Sequence, residues 1–280
     1  MSAQLIDGKS IASALQISQA ERVEQLKKCG IVPMLSVVLV GHDPASAVYV
    51  RNKAKACEKV GIQSETIEVP EDTTQEQLED LLDRLSNEKR VHGILLQLPL
   101  PKGFDQEKAL RHIAPSKDVD GFLPENSGAL MRGGKGFVPC TPKGILYLLK
   151  KNNIPMDGAH AVIIGRSSLV GKPMAMLLLN ENCTVTICHS HTQNLPEITR
   201  TADILVAAVG KPHMITAEMI KPGAAVIDVG INRTENGITG DVDFASVREV
   251  AGFITPVPGG VGPMTVSMLL ENTLEAACGA

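Results

Sequence analysis

Tryptophan is absent from this chain, and the aromatic residues together make up only 2% of it. With hydrophobic residues at 44%, any core must therefore be aliphatic, in an amount ordinary for a globular protein. No run of lysine and arginine appears, and the net charge of -4 argues against a nucleic-acid surface. No stretch reaches the ~20 apolar residues that a membrane-spanning helix requires. The start, MSAQLIDGKSIASALQ, lacks the basic opening and unbroken apolar core of a signal peptide. The six cysteines show neither a CxxC nor a short metal spacing, so they read as reduced thiols of a cytoplasmic protein. Repeats and low-complexity linkers are also missing. What remains is an enzyme-like chain working on small molecules, with 280 residues to fill about two domains.

Strand-like and helix-like segments alternate, which predicts an α/β fold with a parallel sheet. In the first half, strands are expected at 34–41, 64–69 and 91–101, and helices at 44–60 (stopped by Gly61) and 74–88. Residues 102–140, rich in Gly, Pro and Asp, read as loops with a short helix. The pattern restarts at Thr141 with a helix over KGILYLLKKNN and strands at 159–165, 183–190, 202–210 and 224–232. A terminal helix at 265–278 is placed to pack back on the first domain and tie the two lobes together.

Between 159 and 177 the order is strand, tight turn, helix. A glycine ending a strand lets backbone approach a pyrophosphate, and the next helix offers free N–H groups and its positive dipole end. The spacing Gly165-x-Ser167-x-x-x-Gly171 departs from the usual GxGxxG fingerprint, so an ordinary β–α turn stays open as an alternative. The following strand ends in His189-Ser190-His191, without the carboxylate that normally bonds a ribose 2′-hydroxyl. Arg166 stands where a guanidinium could grip a 2′-phosphate in its place. Both features favour NADP over NAD. Apart from Cys188, nothing near His189 and His191 adds a thiolate or carboxylate at a plausible spacing, so no metal is expected.

Three features of the first half carry chemistry. Tyr49 and Lys53 lie four apart and share one helix face. A lysine can serve as acid or base in a suitable environment. The plainer reading is a solvated side chain on a helix that also holds Arg51, Lys55 and Lys59. Gln97 interrupts an apolar strand and must find partners for its amide. Lys117-Asp118-Val119-Asp120-Gly121 brings two carboxylates into one loop; Asp118 reads as a turn residue, while Asp120 suits the amino and N–H groups of a heterocycle.

In order along the chain, YVRNKAKACEKVGI, GILLQLPLP, KDVDGF, PCTPKGI, GRSSLVGKPMA, VGKP, VIDVGIN and TPVPGGVGPMT resemble the bifunctional methylenetetrahydrofolate dehydrogenase/cyclohydrolase family, from about Ile6 to about Thr273. The resemblance implies a folate-binding catalytic domain over 1–140 plus 266–280 and a Rossmann-like NADP-binding domain over 141–265. It implies Lys53 as catalytic lysine, Tyr49 stacking on the folate, Gln97 pairing with the lysine, and Asp120 anchoring the pterin. Ser46 and Leu98 would lie at the same folate site, and a loop with Pro258, Gly259, Gly260, Val261 and Gly262 would close over it. Gly165, Arg166, Ser167, Ser190 and Ile231 would contact the dinucleotide. The implied activity is oxidation of 5,10-methylenetetrahydrofolate by NADP+, then hydrolysis to 10-formyltetrahydrofolate, a part of one-carbon metabolism and purine biosynthesis. A cytoplasmic homodimer is implied as well. A shikimate-type dehydrogenase gives no reason for Lys53, Gln97 and KDVDG to occur together with PVPGGVGPMT. A non-catalytic binding module gives no reason to keep Lys53, Gln97 and Asp120 together.

Overall fold

The computed structural model describes residues 2–235 and 237–279, so Met1 and Ala280, the outer ends of the expected domains, lie outside the described residues. In chain order its elements are β1 (Gln4–Leu5), α1 (Gly8–Lys28), β2 (Met34–Val40), α2 (Pro44–Val60), β3 (Gln63–Val69), α3 (Gln75–Asn87), β4 (Gly93–Leu96), α4 (Gln106–Leu110) and α5 (Pro124–Met131). There follow α6 (Cys140–Lys151), β5 (His160–Ile164), α7 (Gly171–Asn180), β6 (Thr184–Cys188), α8 (Leu195–Thr199), β7 (Ile204–Ala207) and β8 (Ala225–Asp228). The last are β9 (Asn232–Thr234), β10 (Gly237–Thr239), α9 (Phe244–Val247), β11 (Phe253–Ile254) and α10 (Val261–Ala277). The fold is α/β in two compact units, one of residues 13–140 with 266–280, the other of 1–12 with 141–265.

The unit of residues 13–140 and 266–280 holds a three-stranded parallel sheet in the order β3-β2-β4. The central strand, MLSVVLV, is buried along its whole length, as a parallel strand covered on both faces should be. Leu78, Leu82 and Leu85 of α3 recur at helical spacing and pack into the aliphatic cluster around Val38, Ile94 and Leu96. Thr74 and Gln77 close a capping box at the start of α3. Strand β4 is shorter than the sequence leads one to expect. Gln97 N–H still reaches Val38 O at 2.9 Å, but Pro99 and Pro101 beyond it carry no N–H to continue a ladder. Residues 102–140 form two short α-helices rather than one, because Asp105 caps α4 and Pro124 starts α5.

The other unit carries a six-stranded sheet in the order β1-β11-β8-β7-β5-β6, every neighbour parallel. Its core joins Val162, Ile164, Leu205, Val226 and Ile254, again without a large aromatic. Residues 2–12 cluster with this unit, not with the expected folate-binding domain. The cause is the pairing of Gln4 with Phe253 and Leu5 with Ile254, which adds β1 to the sheet edge. A two-residue strand shows no periodicity that could announce it. The expected strand at 224–232 stops at Asp228, whose carboxylate turns back to accept Gly230 N–H at 2.9 Å. Strand β6 stops at Cys188 because His189 and Thr192 close a turn, with His189 N–H on Thr192 Oγ1 at 2.8 Å.

Candidate active site

Helix α2 starts sharply. Asp43 accepts Ser46 N–H at 2.7 Å as N-cap, Pro44 occupies the first turn, and Gly61 ends the helix. Those boundaries set Ser46 buried in the first turn, Tyr49 exposed, and Lys53 half-buried one turn beyond Tyr49. Lys53 Nζ donates to Gln97 Oε1 at 3.0 Å, so the lysine of α2 and the amide just past β4 meet. Gln97 is buried, and its Nε2 donates to Leu98 O at 2.7 Å. Both ends of the amide are thereby used, and its orientation follows from the network: oxygen toward the cation, nitrogen toward a carbonyl.

The two carboxylates of the KDVDG loop separate in role. Asp118 is fully enclosed and accepts from Gly121 N (3.1 Å), Leu123 N (2.8 Å) and Asn126 Nδ2 (2.8 Å). It holds the loop, as a turn residue should. Asp120 is half-buried and faces different company. Burial pushes its carboxyl above the usual range, the positive charge of Lys53 pulls the other way, Asp118 adds to the rise, and the Cys140 thiol opposes it. Lys53, Gln97 and Asp120 therefore form one electrostatic group within one unit.

Two residues around this group were not singled out in the sequence. Cys140 is buried, with its thiol toward Val119 O at 3.4 Å. Asn272 of α10 is fully buried and donates to Val119 O at 2.7 Å and Val138 O at 3.1 Å, pinning the backbone next to Asp120. Asn272 lies between Glu271 and Thr273 in the sequence, so no local pattern singles it out.

In the unit of residues 1–12 and 141–265, Gly165 follows β5 with φ of +128°, and a side chain there would collide with the carbonyl of Ala208. Ser167 Oγ accepts Val170 N at 3.1 Å and Gly171 N at 3.3 Å, fixing the turn into α7. The N–H groups of Arg166, Ser167 and Ser168 donate to no acceptor among the described residues. A tight glycine turn with free amides before a helix is an anion cradle, so the residues present fit a dinucleotide pyrophosphate. Register pairs Ile164 with Cys188, so Arg166 and Ser190 leave adjacent parallel strands at the same end; both are exposed. Ile231, exposed, follows the end of β8.

Pro258 to Gly262 lead into α10 in the same unit. Gly259 O accepts Lys9 N–H at 2.9 Å; Gly260 and Val261 are buried, Pro258 and Gly262 exposed. Among the described residues, no group of three or more His, Cys, Asp or Glu could hold a metal ion, and no helix is long and apolar enough to cross a membrane.

Comparison with known proteins finds two models of one family along the chain. Residues 6–120 match the family model for the tetrahydrofolate dehydrogenase/cyclohydrolase catalytic domain, and residues 139–280 match the model for the NAD(P)-binding domain of the same family. Among similar proteins is a bifunctional protein FolD of Cupriavidus pinatubonensis, 58% identical over 278 residues, covering 99% of this chain and 98% of that protein. The crystal structure of FolD methylenetetrahydrofolate dehydrogenase/cyclohydrolase from Campylobacter jejuni superposes with a TM-score of 0.98 at 48% identity, covering 99% of both chains. The Trypanosoma brucei methylenetetrahydrofolate dehydrogenase-cyclohydrolase, crystallised with NADP cofactor and inhibitor, gives 0.94 at 42% identity over 99% of this chain and 98% of that one. Matched along both units, this chain belongs to the tetrahydrofolate dehydrogenase/cyclohydrolase family.

Proposed function

We propose that this enzyme oxidises 5,10-methylenetetrahydrofolate to 5,10-methenyltetrahydrofolate with NADP+ and then hydrolyses the product to 10-formyltetrahydrofolate. The observation that carries this reading is the Lys53–Gln97 pair at 3.0 Å beside the half-buried Asp120, in a chain of this family. Family membership makes the reaction; the residue roles are our assignment.

NADP+, when bound, accepts the hydride from the methylene carbon. For that step the chain has only to align donor and acceptor. Gly165 would allow close approach of backbone, the free amides of Arg166 and Ser167 would donate to phosphate oxygens, and Arg166 with Ser190 would hold the 2′-phosphate. Ile231 flanks the cofactor. On the folate side Tyr49 stacks on the ring system, Asp120 pairs with the pterin amino and N–H groups, and Ser46 and Leu98 complete the surface. The loop from Pro258 to Gly262 is assigned to folate binding as well.

In the second step water adds to the methenyl carbon, the bond from that carbon to N5 breaks, and the formyl group stays on N10 with release of one proton. Lys53 assists the attack and the proton transfers, and Gln97 fixes its position. A neutral amide holds the lysine without the strong charge pairing that a carboxylate would impose at that contact. The proposal includes a cytoplasmic homodimer; the compartment is supported by six free cysteines, four of them buried.

A spectrophotometric assay with methylenetetrahydrofolate tests the reading. NADP+ should be reduced faster than NAD+, followed by loss of the methenyl absorbance. Reduction of neither dinucleotide overturns it.

A further inference from the structure

Asp241 lies in the Gly240-Asp241-Val242 segment after β10 and is fully buried. Its carboxylate gathers four donors. Oδ2 accepts Val209 N at 2.7 Å and Gly210 N at 3.0 Å, while Oδ1 accepts Lys211 N and Asn232 Nδ2, each at 2.9 Å. Three consecutive backbone amides on one carboxylate leave the 209–211 loop little freedom.

Asp241 is itself anchored. Its N–H donates to Asp228 Oδ1 at 2.9 Å, and Val242 N–H donates to Asp228 Oδ2 at 3.0 Å. The packing is tight enough that a side chain at Gly230 would strike Asp241 and one at Gly240 would strike Asp228. Such an arrangement is built to resist movement.

What it holds is the surroundings of the Gly165 turn. Ala208, the residue before the captured loop, donates its N–H to Ile164 O at 2.9 Å, and its carbonyl packs on Gly165. Asn232, the fourth donor, directly follows Ile231. The captured segments thus leave the carboxyl ends of β7 and β8, where parallel α/β sheets take their ligands.

We propose that Asp241 is the positioning residue of the dinucleotide site: by holding loop 209–211 and Asn232 together it sets the places of the Gly165 turn and of Ile231. This rests on reading that turn as the NADP site. Asp241 acts through backbone and does not touch the cofactor.

The test uses the full chain with NADP+ and methylenetetrahydrofolate, and measures methenyltetrahydrofolate hydrolysis separately. Asp241→Asn keeps the size but turns an NH2 toward N–H donors, so KM for NADP+ should rise about tenfold with kcat much less affected. Methenyl hydrolysis, assigned to the other unit, should stay near its wild-type rate. Asn232→Ala removes a single donor and should raise the same KM about threefold. An unchanged KM in D241N, or loss of both activities in proportion, overturns the proposal. Should D241N fail to fold, N232A decides, an unchanged KM again overturning it. A wild-type chain that reduces neither dinucleotide would instead sink the NADP reading itself.

Discussion

Lys53 and Arg166 are the two cations on which the proposed chemistry turns, and the chain treats them differently. Lys53 is half-buried, bonded to Gln97 and set against the charge of Asp120. Arg166 is exposed and makes no side-chain hydrogen bond or ion pair among the described residues. The difference fits the tasks proposed for them. A group that moves protons must be held at one atom's precision before substrate arrives, which takes side-chain partners. A group that grips a phosphate needs charge and a planar fork, and its geometry is completed by the ligand. Rigidity on the dinucleotide side lies in backbone instead, in the Gly165 turn and the Asp228–Asp241 anchor.

The largest effect should come from breaking the built side. Lys53→Met should abolish methenyltetrahydrofolate hydrolysis, a loss on the order of 10² to 10⁴-fold. NADP+ affinity, measured by titration of the free enzyme, should stay near wild type. Hydrolysis at the normal rate would end the catalytic role of Lys53.

Next comes the open side. Arg166→Ala should raise KM for NADP+ by roughly 10- to 100-fold, the worth of a charge-assisted bidentate contact, while KM for NAD+ changes little. Equal effects on both dinucleotides would count against the 2′-phosphate assignment.

The smallest effect concerns the backbone anchor and is read by pH. Burial pushes the Asp228 carboxyl up to about 6, against three backbone N–H bonds that favour its charge and with the nearby Asp241 raising it further. Its unfolded value is the ordinary 3.8, so the folded state holds the proton more tightly. This contribution to stability is therefore full below the unfolded value and lost as pH rises through about 6. Between pH 7 and 5 the wild-type chain should gain about 1 kcal/mol relative to Asp228→Asn, which has no such proton. Paired thermal melts across that range check it, and parallel curves would show that Asp228 does not titrate there.

Much of the secondary structure could be read directly. The Val-rich run at 34–41 and the Pro44 start and Gly61 stop of α2 are local signals. Local signals failed where partners are distant. β1 is two residues long and exists only because Phe253 and Ile254 offer an edge. Asn272 sits among other polar residues of α10, and only the fold shows its amide meeting Val119 and Val138.

The sequence by itself determined the alternation of elements, the shared helix face of Tyr49 and Lys53, the glycine turn at 165, and the missing acid at the end of β6. All of these depend on residues within a few positions of one another, where periodicity and backbone preference act. Tertiary structure decided that Lys53 meets Gln97 across 44 positions, that Asp120 stands beside the lysine, and that Asp241 gathers amides from 30 positions away. Those outcomes turn on strand order and close packing, which bring together groups that no local pattern relates.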